Sequence, residues 1–389
     1  MTRKKTLCVV TGTRAEYGLL KPLLDVLCQE NALELRLVVT GAHLSTAFGE
    51  TYREIEDDGF AIHAKIKMDL DDDTQSGMAR ATGKALVSFA GYFEANRPDI
   101  VVLLGDRYEL LAAAIAAAMT QIPIAHIGGG DTSEGAVDEF IRHSVTKMSH
   151  LHFPTNKQSY NRILQLGEAP ERVFNVGSLG VDNILSRPLL PLWELSADLD
   201  FDLSGEYALV TYHPVTMHSD AGSNEFNELL KAIDGIKNMK FLFTKANADS
   251  GSRVINSALD DFVLTRPNCA AYTSLGALRY LSAMKYAAVV VGNSSSGLYE
   301  TPSFGVPCIN IGDRQRGRLK AENVIDCAPT AEAILSAMET ARSEAFKSLA
   351  QSVISPFGDG QAAIKIANVL KDFLHSGNLD LKKAFYSIE

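Results

Sequence analysis

The stretch TLCVVTGTRAEYGLL, residues 6–20, starts with an apolar run, passes through a glycine turn and continues into a helical pattern. Leu20, Leu23, Leu24 and Leu27 recur at the spacing of one helix face. A continuous apolar strand followed at once by an amphipathic helix is typical of a parallel sheet that is covered on both faces. This stretch therefore predicts an α/β fold.

The same alternation continues along the chain. In the first half it predicts strands at 6–12, 33–41, 61–66, 99–106, 122–128 and 150–153. After a segment at 186–207 with two prolines and five acids, which we interpret as an interdomain connection, it predicts strands at 207–214, 239–247, 287–296 and 306–312. We therefore predict two successive doubly wound domains, residues 1–185 and 186–360, with the active site in the cleft between them.

Composition excludes several classes of protein. The 389 residues exceed one compact core, and 46% hydrophobic with 22% charged residues is ordinary for a folded soluble chain. The net charge of −10 argues against nucleic-acid binding. The apolar runs are too short for a membrane span or a cleavable signal. Five scattered cysteines predict buried thiols in the cytoplasm, with no metal-ligand spacing among them.

The first half carries a concentration of charge where predicted strands end. Arg14 follows the first strand and offers a fixed positive group beside a helix start, which favours an anion. Asp106 follows the strand at 99–106, and the stretch HIGGGDTSEGAVDEFIRH, residues 126–143, follows the next one. Carboxylates that are forced together in a cleft have separated pKa values and can supply one acid and one base. The candidates in this stretch are His126, Asp131, Asp138, Arg142 and His143.

The second half carries groups that suit a nucleotide diphosphate. His213 ends a strand, and Asn247 lies in a polar loop. Ser294, Ser295, Ser296 and Gly297 offer hydroxyl and N–H groups at a predicted helix start, Glu300 can accept both hydroxyls of a ribose, and Arg314 can contact a diphosphate. The pairing of a nucleotide site with a carboxylate-rich site suggests an enzyme that works on the sugar of a nucleotide sugar.

With both halves assembled, the chain resembles the hydrolysing UDP-N-acetylglucosamine 2-epimerases of bacterial sialic-acid synthesis. The resemblance rests on five ordered blocks that span the chain: TGTRAEYG, GDRYE, DEFIRHSVTKMSHLHF, GNSSSGLYE and INIGDRQRGR. It implies two Rossmann-like domains in a glycosyltransferase-B-like architecture, with a C-terminal segment from about 361 to 389 crossing back onto the first domain. It also implies a homodimer or homotetramer, a UDP-sugar substrate, and no metal or other cofactor.

The resemblance implies a two-step mechanism. UDP leaves C1 as the C2 proton is removed, and water then adds to the 2-acetamidoglucal while C2 is reprotonated from the opposite face, releasing N-acetylmannosamine. By motif, Asp106, Asp131 and Asp138 are the acid and base candidates, and His213 is a proton donor or diphosphate partner. Many relatives have His-x-Glu where this chain has Gly128, so the base and the acid stay unassigned.

Several alternatives stay open at this point. The leading hypothesis is the hydrolysing reaction on UDP-N-acetylglucosamine, and the same reaction on UDP-N,N′-diacetylbacillosamine in legionaminic-acid synthesis is the closest alternative. A non-hydrolysing 2-epimerase, a glycosyltransferase and a non-catalytic nucleotide-sugar sensor are the more distant ones. The density of carboxylates in the first half argues against a transferase, which would need an acceptor site and few acids. A sensor would keep its function when Asp138 is replaced by asparagine.

Overall fold

The chain divides into two compact units in the computed structural model: unit 1 is Met1–Asn183 with Phe357–Glu389, and unit 2 is Ile184–Pro356. The structure describes residues 3–72, 74–132, 137–214, 223–246, 252–376 and 381–388. Within these residues each unit contains one parallel six-stranded sheet with helices on both faces. The predicted α/β fold of two Rossmann-like domains is confirmed.

Unit 1 has the strand order β3-β2-β1-β4-β5-β6. Its strands are β1 Lys5–Thr11, β2 Leu33–Thr40, β3 Ile62–Ile66, β4 Ile100–Leu104, β5 Ile124–Ile127 and β6 Leu151–Phe153. Its helices are α1 Arg14–Cys28, α2 Tyr52–Asp57, α3 Gln75–Asn96, α4 Tyr108–Met119, α5 Val137–Met148, α6 Lys157–Gln165 and α15 Ala362–His375, while α7 Leu179–Ser186 runs across the boundary between the units.

Unit 2 has the equivalent strand order, β12-β11-β10-β7-β8-β9. Its strands are β7 Tyr207–Thr211, β8 Lys240–Thr244, β9 Cys269–Tyr272, β10 Val289–Gly292, β11 Cys308–Ile311 and β12 Val324–Cys327. Its helices are α8 Leu192–Leu199, α9 Ser223–Asp234, α10 Ser252–Leu264, α11 Gly276–Tyr286, α12 Ser295–Phe304, α13 Ala331–Arg342 and α14 Glu344–Ser352.

The strands of unit 1 bury apolar side chains on both faces. In β1, Leu7 and Val9 join the core formed with α1 and α15, whereas Cys8 and Val10 join the core formed with α3, α4 and α5. This two-sided burial explains why the strand is a continuous apolar run rather than an alternating one. At the start of α1, the Thr13 side chain accepts a hydrogen bond from the backbone N–H of Glu16 and so caps the helix.

The C-terminal helix α15 belongs to unit 1. Ile366, Leu370 and Leu374 are fully buried in the core that also contains the leucines of α1. At its N-terminus, the Asp182 carboxylate accepts hydrogen bonds from the backbone N–H groups of Ala362 (3.0 Å) and Ala363 (2.7 Å). The carboxylate thereby satisfies two of the N–H groups that a helix start leaves without intrahelical partners.

The segment at 186–207 differs from its interpretation as a connection. Its residues all lie in unit 2, and α8 inserts Leu195 and Leu199 into a core that also contains Leu203. Prolines at 188 and 191 precede the helix rather than interrupt it, because Pro191 stands at the N-cap position. Across the described ranges, no helix is both long and apolar enough to cross a membrane.

Four of the described histidines of unit 1 are buried and have lowered pKa values: His43, His126, His150 and His152. Burial lowers the pKa of His126 to about 3, and those of His43 and His150 to about 4. His43 lies between the hydroxyls of Thr11 (3.1 Å) and Thr51 (2.8 Å), where it remains neutral at neutral pH. At each of these histidines, the unfolded chain, with a pKa near 6.5, therefore binds more protons than the folded chain between about pH 4 and pH 6.5.

We expect the free energy of unfolding to fall as the pH falls through this window. Protonation of one such histidine in the unfolded state accounts for about 2 kcal/mol between pH 7.5 and pH 5. Urea unfolding at the two pH values measures the loss. His43→Gln should reduce it, whereas the same substitution at His63, an exposed residue of β3, should not. A loss that is equal in the wild type and in His43→Gln would contradict this account.

Candidate active site

Both sheets have a point where the chain leaves two adjacent central strands in opposite directions: between β1 and β4 in unit 1, and between β7 and β10 in unit 2. Open parallel sheets bind ligands outside the carboxyl ends of the strands at such a point. The described site candidates fall at the carboxyl ends of these strands and of their neighbours β5 and β11, or in the helices that follow. They are Arg14, Asp106, His126, Asp131, Asp138, Arg142, His143, His213, Ser294, Ser295, Ser296, Gly297, Glu300 and Arg314.

A buried arginine organises the carboxylates of unit 1. The Arg142 side chain is only 6% exposed, and its guanidinium donates to the Asp106 carboxylate. It also donates to the backbone carbonyl of Asp131 (3.0 Å) and to the Glu139 carboxylate (3.2 Å). Glu139 in turn lies 3.2 Å from Nε2 of His143. Arg142 is thus a positioning residue that links the loops after β4 and β5 to α5.

The other two aspartates differ in their surroundings. The Asp131 carboxylate accepts hydrogen bonds from Ser159, Thr155 (3.4 Å) and Asn156 (3.4 Å) at the start of α6, so its orientation is fixed. Asp138 is exposed in the first turn of α5, and it makes no ion pair or hydrogen bond with the described residues. An ion pair between Asp138 and Arg142, which their spacing allows, is therefore not formed.

His126 supports the site from within the sheet. Its Nε2 lies 2.7 Å from the carbonyl oxygen of Gly105, which can only accept, so Nε2 carries the proton and Nδ1 accepts from Thr146 (3.0 Å). The residue is fully buried and neutral. Its position next to Gly105 holds the backbone just before Asp106. The structure therefore gives His126 a positioning role and no surface that a substrate could contact directly.

The glycines at 128–130 serve the protein's own close contacts. A Cβ atom at Gly129 would lie 2.8 Å from Oγ1 of Thr146, and one at Gly130 would lie 2.3 Å from the carbonyl oxygen of Ser159. Gly128 and Gly130 also have positive φ angles, 78° and 79°. The loop after β5 thus lies close to α5 and α6, which the sequence did not reveal.

Two buried glutamates at the edge of the same sheet were missed by the sequence analysis. Glu16 and Glu109 are 7% and 0% exposed, and Arg107 forms an ion pair with Glu109 at 3.2 Å. Glu16 accepts a hydrogen bond from the backbone N–H of Gly12 (2.7 Å). Burial, together with the charge of Glu109, raises the pKa of Glu16 to about 7. Both residues lie inside motifs that the sequence analysis singled out, Glu16 in TGTRAEYG and Glu109 in GDRYE, so the sequence did mark these positions.

In unit 2, a buried asparagine joins the two central strands. The side-chain oxygen of Asn293 accepts from the backbone N–H of His213 (2.7 Å), and its amide donates to the carbonyl of the same residue (2.8 Å). The backbone carbonyl of Asn293 accepts from Arg314 (3.1 Å) and Gln315 (2.8 Å). Asn293 was not among the predicted site residues, although it directly precedes the serine run.

The helix α12 begins at the serine run, as predicted. Ser294 caps the helix by accepting from the backbone N–H of Ser296 (3.3 Å), and the Ser296 hydroxyl contacts both Glu300 and the Tyr280 hydroxyl. Burial raises the pKa of Glu300, although the hydrogen bond from Ser296 opposes this shift. Gly297 is required by close contact with β11, because a Cβ there would lie 2.8 Å from the Cys308 sulfur. The first-turn N–H groups of α12 are a suitable site for an anion.

The remaining candidates are simpler to place. Arg14 is the first residue of α1; its side chain is 72% exposed and forms an ion pair with Glu54 at 3.1 Å. Asn247 lies outside the described residues. Over the described part of the chain, no group of three or more histidine, cysteine or acidic side chains has the geometry to hold a metal ion.

Comparisons with known proteins agree on one family. Residues 26–371 match the family described as UDP-N-acetylglucosamine 2-epimerase. The chain is 44% identical over 324 residues (83% of this chain, 84% of the relative) to the Campylobacter jejuni GDP/UDP-N,N′-diacetylbacillosamine 2-epimerase (hydrolyzing). It is 40% identical to the Escherichia coli polysialic acid biosynthesis protein P7, covering 99% of this chain and 98% of that protein.

Two further proteins extend the comparison. The Legionella pneumophila UDP-N,N′-diacetylbacillosamine 2-epimerase (hydrolyzing) is 35% identical, covering 97% of this chain and 98% of that protein. The solved structure of UDP-GlcNAc 2-epimerase from Neisseria meningitidis, bound to UDP-GlcNAc, is similar in fold, with a TM-score of 0.79 at 18% identity, covering 94% of this chain and all of that one. The chain belongs to the UDP-N-acetylglucosamine 2-epimerase family.

Proposed function

We propose that the protein is a hydrolysing 2-epimerase of a UDP-linked 2-acetamido sugar. In the first step, a base removes the C2 proton as the C1–O bond breaks, which yields UDP and a 2-acetamidoglucal. In the second, water adds its hydroxyl group at C1 while an acid returns a proton to C2 from the opposite face. The net reaction consumes one water and releases UDP and the free 2-epimeric sugar.

The observation that carries this proposal is the difference between the side chains at the β1/β4 point of unit 1 and those at the β7/β10 point of unit 2. Unit 1 has Asp106, Asp131 and Asp138 on the loops after β4 and β5 and in the following helix. Unit 2 has a helix N-terminus, the Ser294 and Ser296 hydroxyls and a nearby arginine. Proton transfer at carbon needs acids and bases, whereas a leaving diphosphate needs N–H, hydroxyl and guanidinium donors.

In unit 1, we assign proton transfer to the aspartates. Arg142 holds Asp106 in one orientation through a buried guanidinium, and the hydrogen bonds from α6 hold Asp131. Asp138 is the aspartate whose carboxylate makes no contact within the described residues. It is therefore the group most available to a substrate, and the most informative one to replace.

In unit 2, we assign UDP binding to the start of α12 and its surroundings. Ser294, Ser295 and the first-turn N–H groups would contact the diphosphate with Arg314, and Glu300 would accept from the ribose hydroxyls. Burial and its bond to Ser296 hold the Glu300 carboxylate in place. His213, fixed through its backbone by Asn293, would donate a proton or a hydrogen bond to the leaving diphosphate.

The comparisons bear on which sugar is used. The sequence motifs placed UDP-N-acetylglucosamine first, but two of the four similar proteins described above are named for N,N′-diacetylbacillosamine, including the one at 44% identity. We therefore propose UDP-N,N′-diacetylbacillosamine as the preferred substrate. UDP-N-acetylglucosamine is the second candidate, supported by the polysialic acid protein that matches over 98% of its length.

Proton NMR of the purified protein in D₂O, with each UDP-sugar in turn, tests the reaction. We expect free UDP and a free sugar that is inverted and deuterated at C2, with faster turnover of the diacetamido substrate. Release of a UDP-linked epimer would indicate a non-hydrolysing enzyme instead. No reaction with either sugar would contradict the proposed function.

Asp138→Asn should lower kcat by about 10²–10⁴-fold, since an amide cannot transfer the C2 proton. The affinity for UDP should be retained, because we assign UDP binding to unit 2. Steady-state release of UDP and calorimetric titration with UDP measure the two quantities. The matched control is Asp372→Asn on α15, another exposed aspartate, which should leave both at wild-type levels. Full turnover by Asp138→Asn would remove Asp138 from the mechanism.

Arg314→Ala should weaken UDP binding by about 10–100-fold, the usual contribution of a hydrogen bond between charged groups. The control is Arg316→Ala, which removes a second exposed guanidinium from the same loop. Calorimetric titration with UDP compares the two variants directly. Equal dissociation constants for Arg314→Ala and the wild type would contradict the assignment of Arg314 to the diphosphate.

A further inference from the structure

Unit 1 contains a cavity of about 520 Å³ at the carboxyl edge of its sheet. Its lining comes from the start of α1, the turns after β2, the segment between β3 and α3, the start of α3, and the β4–α4 loop. This volume lies within the range of small-molecule sites.

The charged side chains that line the cavity form ion pairs with other side chains of the protein. Every one of its arginines and carboxylates has an ion-pair partner, so the cavity presents little unmatched charge to a ligand. The pairs are Arg14 with Glu54 (3.1 Å), Asp69 with Lys84 (2.5 Å), Asp72 with Arg80 (2.5 Å) and Arg107 with Glu109 (3.2 Å). This pattern suits an uncharged part of a ligand.

The rest of the lining is largely apolar. Phe48, Leu70, Met78, Ala42 and Ala81 all contribute to it. Phe48 is 59% exposed and Met78 is 36% exposed, although both are large apolar side chains. Exposed apolar surface gathered in a concave site favours a ligand that brings methyl groups rather than hydroxyls.

The cavity also lies beside Asp106, one of the aspartates that we assign to chemistry at C2. Arg107, Tyr108 and Glu109 line it, and they directly follow Asp106 in the chain. In a pyranose ring, C4 and its neighbour C5, which carries C6, lie across the ring from C1 and C2. A sugar with C2 at Asp106 can therefore direct its C4 and C6 substituents into this cavity.

The two candidate sugars differ at these positions. N,N′-Diacetylbacillosamine has an acetamido group at C4 and a methyl group at C6, where N-acetylglucosamine has a hydroxyl and a hydroxymethyl group. Resting on the proposed function, we propose that this cavity binds the C4 acetamido and C6 methyl groups of the substrate. Leu70 and Met78 are then specificity-determining residues, because they supply apolar contacts that the glucosamine substrate cannot use.

Met78→Gln tests this assignment, since glutamine has nearly the same size but a polar end. We expect the ratio of kcat/KM for the diacetamido substrate to kcat/KM for UDP-N-acetylglucosamine to fall about tenfold, the usual effect of losing an apolar contact in a specificity pocket. The matched control is Met119→Gln on α4, where the methionine is 77% exposed and outside the cavity lining. This control should keep the wild-type ratio.

The outcomes separate the two proposals. A wild-type enzyme that turns over both sugars but favours UDP-N-acetylglucosamine would overturn the cavity assignment and leave the hydrolysing reaction intact. An unchanged ratio in Met78→Gln, or an equal fall in Met119→Gln, would also overturn it. Absence of turnover of either sugar by the wild type would reject the proposed function, and the cavity assignment with it.

Discussion

The direction in which the chain leaves each pair of central strands is the constraint on which the rest of the structure depends. Parallel strands need crossover helices, and the crossovers from β1 and β4 run to opposite sides of the sheet. A crevice therefore opens at their carboxyl ends, and loops from distant parts of the chain meet there. The same connectivity recurs in unit 2. There the ends of β10 and β7 lie so close together that a Cβ atom at Gly292 would lie 1.9 Å from the Thr211 carbonyl oxygen. Only glycine fits at that strand end.

Each crevice is held in shape by one buried polar side chain. Arg142 connects the loop carrying Asp106 to the backbone after β5, and Asn293 connects the end of β7 to the start of α12. Buried polar groups with several partners are costly to misplace, so they fix one arrangement of the loops around them. Site residues that lie on loops are thereby held as firmly as residues of the sheet itself. Arg142 and Asn293 thus support the candidate acids of unit 1 and the candidate anion site of unit 2 without needing to contact a substrate themselves.

The sequence predicted the central strands well because they are continuous apolar runs, but it missed β9 and β12. These outer strands, CAAY and VIDC, are only half-buried and carry little apolar signal. The positions of the candidate acids at strand ends were also predictable. The hydrogen-bond partners of these acids could not be predicted, because they are distant in the chain. Asp106 and Arg142 are 36 residues apart, and Asp131 and Ser159 are 28 residues apart. Arg142 pairs with Glu139 one helical turn away and also with Asp106, and helical spacing could predict only the first of these pairs.

The separation of charge between the units gives the proposed reaction a physical basis. A diphosphate carries negative charge, so it binds poorly beside a cluster of carboxylates in a site of low dielectric constant. Unit 1 places Asp106, Glu16 and Glu109 at its sheet edge, two of them buried, whereas the described start of α12 offers hydroxyls and N–H groups. Burial, with a smaller contribution from the charge of Glu109, raises the pKa of Glu16 to about 7, so a further negative charge beside it is disfavoured. An anion is therefore disfavoured at the carboxyl edge of the unit 1 sheet, whereas the start of α12 in unit 2 offers it hydrogen-bond donors.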